Sequence, residues 1–265
     1  MQDLLEKWAE IKPRIRGKKI VLFLDYDGTL TPIVKNPKKA RISREQRRLI
    51  RETSLEPFIE VAVVSGRELG DVKKRIGIPR LMVAGNHGLE LEGPKVRYVN
   101  SGADALRPVM KDLARDLQKK LGNVPGLWIE DKKLTLSVHF RKVRAAEVAK
   151  IKKRFSEIFR QWRRRHRIVL TEGKKVWEIR PAVSWDKACI VKWLLKRFKA
   201  GSGVAPIYIG DDATDEAAFR TIRGNGLAVR VSKTSGKPTA ARFRLKSPSE
   251  VYRFLERLKN IKAGA

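Results

Sequence analysis

Two carboxylates, Asp25 and Asp27, stand one residue apart at the end of the apolar run Ile20–Val21–Leu22–Phe23–Leu24, and Gly28 and Thr29 follow at once. A continuous apolar run rich in β-branched residues reads as a buried parallel strand, and open α/β sheets bind ligands beyond the carboxyl ends of such strands. An Asp-x-Asp placed there, with a glycine turn behind it, can provide a nucleophile, a general acid and a magnesium ligand. Its plain structural counterpart is an acidic turn, because Asp is a common turn residue. Three more polar clusters follow core strands or open a core helix: Ser65–Gly66–Arg67, Lys187 and Gly210–Asp211–Asp212–Ala213–Thr214–Asp215–Glu216. Each alone reads as a turn, a capping serine, a surface lysine or an acidic helix start favoured by the macrodipole. Occurring together and in this order, they are poorly explained by four such coincidences.

These clusters need a scaffold of alternating strands and helices. After the opening strand, residues 43–53 read as a helix that Ser43 can cap, with Glu45 and Gln46 in its first turn. Residues 58–64 form a second apolar strand, 69–76 a short helix before Gly77, and 81–84 a third strand entering Gly85–Asn86–His87–Gly88. Such a βαβαβ start predicts an α/β, doubly wound, Rossmann-like parallel sheet with helices on both faces. The middle of the chain changes character. Val109, Leu113, Leu117 and Leu121 recur at helical spacing, and so do Val148, Ile151, Phe155, Ile158 and Trp162. Residues 134–141 alternate, with Leu134, Leu136, Val138 and Phe140 on one face and Thr135, Ser137, His139 and Arg141 on the other. With strands expected at 128–130 and 176–180, this predicts an inserted α+β domain over 105–180 that shows one polar sheet face. The core domain is then 1–104 and 181–265. Its later elements are a helix over 186–198, a strand at 206–209, a helix over 214–221, a strand at 227–231 and a last helix over 248–258.

With 265 residues and 42% hydrophobic content, the chain can bury one large core or two moderate ones and does not read as disordered. The single cysteine, Cys189, excludes an internal disulfide and fits a reducing compartment. Early acids and no sustained apolar segment at the amino terminus are unlike a signal peptide, and no run approaches a membrane span. The expectation is a cytoplasmic protein with no membrane partner. Sixty Lys and Arg against 29 Asp and Glu give a formal charge of +31, which attracts nucleic acid through counterion release. The basic residues are spread along the chain, however, with one dense run at 163–167, and zinc-finger, aromatic RNA-binding and helix-turn-helix patterns are missing. No specific nucleic-acid partner is expected, and the positive field favours phosphate-bearing substrates. Gly201–Ser202–Gly203 precedes its strand and lacks the third glycine of a dinucleotide fingerprint, while His87, His139, His166 and Cys189 have no zinc-ligand spacing.

The ordered motifs resemble the haloacid dehalogenase superfamily of phosphohydrolases, and their longer wording is similar to the trehalose-6-phosphate phosphatase family. The resemblance is carried by Leu24–Asp25–Tyr26–Asp27–Gly28–Thr29–Leu30, Val64–Ser65–Gly66–Arg67, Gly85–Asn86–His87–Gly88, His139–Phe140–Arg141, Glu178–Ile179–Arg180–Pro181, Lys187 and the 210–216 cluster, and it covers nearly the whole chain. It implies that Asp25 is a nucleophile forming an aspartyl phosphate, that Asp27 is the acid and base, and that Ser65, the Gly66 amide and Lys187 hold the phosphoryl group. It implies Mg2+ bound by Asp25, the Asp27 carbonyl and Asp211, oriented by Asp212 and Asp215. The insert corresponds to a cap domain whose His139, Arg141, Lys175 and Glu178 would recognise a phosphorylated disaccharide, helped from the core by Arg67, Asn86 and His87. Family members often carry Glu where this chain has Asn86. Other capped sugar phosphatases, of the sucrose-phosphate or mannosyl-3-phosphoglycerate type, and a phosphatase-like nucleic-acid-binding module are the alternatives. Oligomeric state, a monomer included, is left open.

Overall fold

In a computed structural model the chain is described at residues 1–34, 36–173, 175–198, 203–234, 236 and 238–261; Gly201 and Ser202 lie outside the described residues. Two compact units form, one from Met1–Tyr98 with Trp185–Ala265 and one from Val99–Ser184. In chain order the strands are β1 (Gln2–Asp3), β2 (Lys19–Leu24), β3 (Ile59–Val64), β4 (Met82–Gly85), β5 (Glu90–Gly93), β6 (Val96–Val99), β7 (Trp128–Asp131), β8 (Leu136–His139), β9 (Ile168–Gly173), β10 (Val176–Pro181), β11 (Val204–Gly210), β12 (Leu227–Val231) and β13 (Phe243–Leu245).

The first unit holds a sheet of order β1-β13-β12-β11-β2-β3-β4-β5-β6. Its centre is parallel: β2 pairs with β11 and β3, β3 with β4, and β12 with β11 and β13. The continuous apolar run of β2 is explained by burial on both faces. Ile20, Leu22 and Leu24 join one buried cluster, and Val21 and Phe23 join another on the opposite side. The helix Arg44–Leu55 starts from a full capping box between Ser43 and Gln46, and Leu69–Ile76 ends at Gly77 in the left-handed region. β5 pairs antiparallel with β4, so the sheet is mixed at this side. That extension was not expected, because Glu90–Gly93 and Val96–Val99 are short and only partly apolar.

The second unit is a four-stranded antiparallel sheet, β7-β8-β10-β9, with the helices Arg107–Leu121 and Ala145–Arg163 packed on one face. Met110, Leu113, Leu117 and Leu121 of the first helix meet Ile151, Phe155, Ile158 and Phe159 of the second over Leu136, Val138, Trp177 and Ile179. The buried stripe thus uses Met110, while Val109 is only half-buried. β8 is shorter than the alternating run 134–141, and β9 was not anticipated. The unit's bounds lie outside the expected 105–180 at both ends. Asn100 accepts the Ala103 N–H and so starts a short turn of helix, Ser101–Asp104, that belongs to the insert. On the core side Tyr98 stacks on Trp185 at 5.2 Å, and the Trp185 indole donates to the Gly88 carbonyl.

Candidate active site

β2 carries the chain into the site. The Asp25 N–H donates to the Ile209 carbonyl at 2.9 Å, which extends the β2–β11 pairing by one step and leaves the Asp25 side chain buried. The chain then folds back on itself. Leu30 and Thr31 donate to the Tyr26 carbonyl, and Gly28 donates to that of Thr31 at 2.8 Å. Gly28 has φ 81°, and a Cβ there would overlap the Asp211 carboxylate, so glycine is required for this turn to close against the end of β11.

Asp215 organises the other wall. One of its oxygens accepts the backbone N–H groups of Asp211 and Asp212 at 3.0 and 3.1 Å. The other accepts the Tyr208 hydroxyl at 2.8 Å and the Lys187 ammonium at 2.7 Å. Lys187 reaches this point because Asp186 caps the helix Lys187–Arg197 by accepting the Cys189 N–H, which puts the lysine in the first turn. Its Nζ also donates to Asp25 Oδ1 at 2.7 Å. Burial opposes the lysine's charge, but Asp215 and Asp25 outweigh it and hold Lys187 well above the ordinary lysine range.

One lysine does not balance this cluster. Burial drives Asp25 well above the usual carboxylate range; Asp215, Asp211 and Asp212 add to the rise and Lys187 opposes it. Asp211 is pushed up to about 8 by burial and then by Asp212 and Asp215. Asp212 is open to solvent by surface area yet closely surrounded. The resulting desolvation raises it, but Lys187 and two hydrogen bonds from Thr214 bring it below its ordinary value. Carboxylate oxygens of Asp25, Asp211 and Asp215 lie within 4.8 Å of one another. A hard divalent cation fits such an oxygen donor set. Asp25 and Asp211 could hold it, because both Asp215 oxygens are already taken by four donors.

The remaining core residues line the ends of β3 and β4. Ser65 is buried, with its N–H on the Ala84 carbonyl and its hydroxyl accepting the Arg67 N–H at 3.2 Å. Gly66 lies so close to the His87 imidazole that a Cβ would collide with the ring. Asn86 and His87 both occupy the left-handed region, at φ 48° and 58°. Two of these side chains make strong contacts within the protein. Asn86 is fully buried and its amide donates to Glu90 at 2.7 Å, so it braces this loop. Arg67 grips the Asp27 carboxylate with two donors, both at 2.6 Å. Glu216, which ends the acidic motif, accepts from Thr239 and from the Ala240 N–H and thereby ties that segment down.

In the second unit, strand register lines up Glu130, Ser137, Glu178 and Thr171 across β7, β8, β10 and β9. This row alternates with the apolar row Ile129, Val138 and Trp177, so it occupies the face away from the helices. Lys132 donates to Glu178 at 2.8 Å, and the His139 ring contacts Glu130 at 2.9 Å while stacking on Trp128. Arg141 is exposed beyond β8, and Lys175 sits at φ 66° with its ammonium 6.0 Å from the Phe140 ring centre. Glu130 and Lys132 were missed by sequence reasoning; the signal was the pairing of β7 with β8, which puts Glu130 directly opposite Ser137.

The trehalose-phosphatase family model matches residues 23–249. The chain is 39% identical over 277 residues to "Trehalose 6-phosphate phosphatase RA3" of Zea mays, covering 97% of this chain and 75% of that protein. It is 36% identical over 267 residues to "Probable trehalose-phosphate phosphatase D" of Arabidopsis thaliana, covering 96% and 71%. A solved structure of a "trehalose-6-phosphate phosphatase related protein" aligns with a TM-score of 0.77 at 25% identity, covering 90% of this chain and 96% of that one. The chain belongs to the trehalose-phosphatase family and is a phosphoric monoester hydrolase.

Proposed function

We propose that the protein hydrolyses trehalose 6-phosphate to trehalose and phosphate through an aspartyl phosphate on Asp25. The observation that carries this reading is the Lys187 ammonium bridging Asp25 and Asp215, which fixes the Asp25 carboxylate in a buried position at the carboxyl end of the sheet. An Asp25 oxygen attacks phosphorus as the bond to the sugar oxygen breaks. Asp27 gives that oxygen its proton, then takes one from the water that attacks the aspartyl phosphate, which releases phosphate and restores Asp25. Ser65 and the Gly66 amide hold phosphoryl oxygens, and Lys187 supplies positive charge. Magnesium is the cation we assign to the site, held by Asp25, Asp211 and the Asp27 carbonyl, where it would neutralise the phosphoryl dianion. Asp215 acts by fixing Lys187 and the amides of Asp211 and Asp212, and Asp212 by orienting water on the metal.

The polar row of the inserted unit supports recognition of a sugar by Glu178, His139, Arg141 and Lys175, now joined by Glu130 and Lys132. The substrate is a small phosphorylated disaccharide, and we assign the protein no specific nucleic-acid partner. No helix among the described residues is long and apolar enough to cross a membrane. We place the enzyme in the cytoplasm, whose reducing environment suits the lone Cys189. Phosphate release from trehalose 6-phosphate, sucrose 6-phosphate, mannosyl-3-phosphoglycerate and glucose 6-phosphate, each with and without Mg2+, tests the reading. Trehalose 6-phosphate should have the highest kcat/KM, and chelation should stop all release. Preference for another ester would move the substrate assignment and leave the chemistry standing.

A further inference from the structure

The geometry points to Arg67 as a positioning residue for Asp27 and not as a substrate ligand. A guanidinium has five N–H donors in one plane. Four of them are already used inside the protein. Nε–H and one Nη2–H hold the two oxygens of Asp27, each at 2.6 Å. The other Nη2–H donates to the Pro37 carbonyl at 2.9 Å, and an Nη1–H donates to Asp71 at 2.9 Å. The side chain is only 10% exposed and its guanidinium lies 5.4 Å from the centre of the Tyr26 ring. An arginine so fully engaged has little left to offer a sugar or a phosphate.

What it holds is the exposed member of the Asp-x-Asp pair. The Asp27 side chain is 43% exposed, and on a turn after a strand it would otherwise be free to rotate. The fork–fork geometry fixes the plane of the carboxylate as well as its place, which a single hydrogen bond cannot do. The anchor is itself braced. Asp71, in the first turn of the helix Leu69–Ile76, also accepts Arg75 Nε at 2.7 Å, and Arg75 donates on to the carbonyls of Ala40 and Lys38. The Tyr26 hydroxyl meets the same Ala40 carbonyl. The segment 37–40, the helix that follows Ser65–Gly66–Arg67, and the carboxylate of Asp27 are therefore one connected network with Arg67 at its centre.

This role rests on the proposed function of Asp27 as the acid that protonates the leaving oxygen, so its signature is dependence on the leaving group. An alkyl leaving group such as a sugar needs that proton, whereas p-nitrophenolate leaves without it. The specificity constant kcat/KM reports only the steps up to loss of the leaving group, so the later need for a base does not enter. The experiment compares kcat/KM for trehalose 6-phosphate and p-nitrophenyl phosphate in wild type, Arg67→Gln, Arg67→Lys and Asp27→Asn, with thermal melts to confirm folding. General acid catalysis contributes about 100-fold or more, and Asp27→Asn should show a loss of that order on the sugar ester and a much smaller one on the aryl ester. Arg67→Gln should lose about tenfold or more on the sugar ester and about threefold or less on the aryl ester, since a misdirected acid retains part of its effect. Arg67→Lys, which keeps the charge without the fork, should fall between Arg67→Gln and wild type. Equal losses on both esters, or no loss on either, would overturn the positioning role of Arg67. If Asp27→Asn shows no dependence on leaving group, the acid role of Asp27 fails first and takes this inference with it.

Discussion

The carboxyl end of the core sheet and the polar face of the inserted sheet both set acids beside lysines, but they are held to different standards. At the core, Asp215 is fully buried and takes four donors, and the Lys187 side chain is 3% exposed between two carboxylates. On the inserted sheet the Lys132–Glu178 pair is 9% and 16% exposed, and His139–Glu130 is 24% and 29% exposed. A reacting centre must keep its geometry while a phosphoryl dianion arrives and leaves, so its charges are fixed by redundant contacts. The surface we propose for hydroxyl recognition has to trade protein contacts for ligand contacts, and pairs that keep some access to water, His139–Glu130 more than Lys132–Glu178, can do that at lower cost than the core cluster. The comparison therefore predicts that damage to the Asp25–Lys187–Asp215 cluster hits every substrate, while damage on the inserted sheet hits the disaccharide alone.

The largest effect belongs to Asp25→Asn. It removes the proposed nucleophile and metal ligand with almost no change in volume, so phosphate release from sugar and aryl esters alike should drop below about a hundredth of wild type. Circular dichroism should show an unchanged fold. Retention of more activity than that would remove Asp25 from the chemistry. Next is Lys187→Met, which leaves a crowd of buried carboxylates uncompensated. Breaking such a buried pair costs about 3 to 5 kcal/mol, and denaturant unfolding in chelator should show it; a loss under about 1 kcal/mol, the range of exposed pairs, would mean that the core cluster is no more demanding than the inserted one.

Glu178→Ala probes the other region. Loss of charge-assisted hydrogen bonds to sugar hydroxyls should cost about 2 to 4 kcal/mol in transition-state stabilisation for trehalose 6-phosphate. For p-nitrophenyl phosphate the same change should matter little. The ratio of the two specificity constants is the measurement, and parallel losses would make Glu178 a structural residue. Glu178→Gln serves as control, because the alanine also strands the nearly buried Lys132.

Chelation sharpens the contrast through pH. Asp211 is pushed up to about 8 in the folded protein from an ordinary 3.8, so the folded state binds its proton more tightly than the unfolded state does. The stability it contributes is complete below the unfolded value and is lost as pH rises toward about 8. In chelator the melting temperature should therefore decline across that window. Saturating Mg2+ should flatten the decline by pairing with the ionised carboxylates. A chelated protein whose melting temperature rises over the same range would contradict the burial of this charge.

The placement of the residues we propose for the chemistry was legible because each is set by short-range rules. Asp25 follows a strand readable from its apolar run, Lys187 opens a helix capped by Asp186, and Asp211 to Asp215 follow β11 within five residues. Their partners were not legible, because partnership depends on register and on the direction of a side chain. Nothing in Ser65–Gly66–Arg67 says that the arginine reaches Asp27, and nothing in Gly85–Asn86–His87–Gly88 says that Asn86 turns inward to Glu90. Lys132 lies just beyond β7, outside any alternating run, and only the folded sheet brings it to Glu178. β9 was hidden for a related reason: Val169 and Glu172 both face solvent, so an edge strand lacks the burial that makes a strand readable.

The smallest effect tests whether the core really is redundantly fixed. Tyr208 is buried beneath the site, stacks beside Phe23 and donates its hydroxyl to the Asp215 oxygen that also takes Lys187. Tyr208→Phe deletes that single donor and keeps the ring, so packing is preserved. Asp215 retains Lys187 and two backbone N–H groups, and the ammonium continues to hold the same oxygen. The cost in stability should be about 1 kcal/mol, the net worth of one hydrogen bond, and kcat/KM should fall by less than about fivefold on sugar and aryl esters equally, since the change lies upstream of any leaving group. A collapse of activity to the level of Lys187→Met would show that the hydroxyl, and not the set of four donors, aims Asp215. A loss confined to trehalose 6-phosphate would be stranger still, because Tyr208 touches the Asp25–Lys187–Asp215 cluster and neither Asp27 nor the inserted sheet, and it would erase the division of labour between that cluster and the inserted sheet.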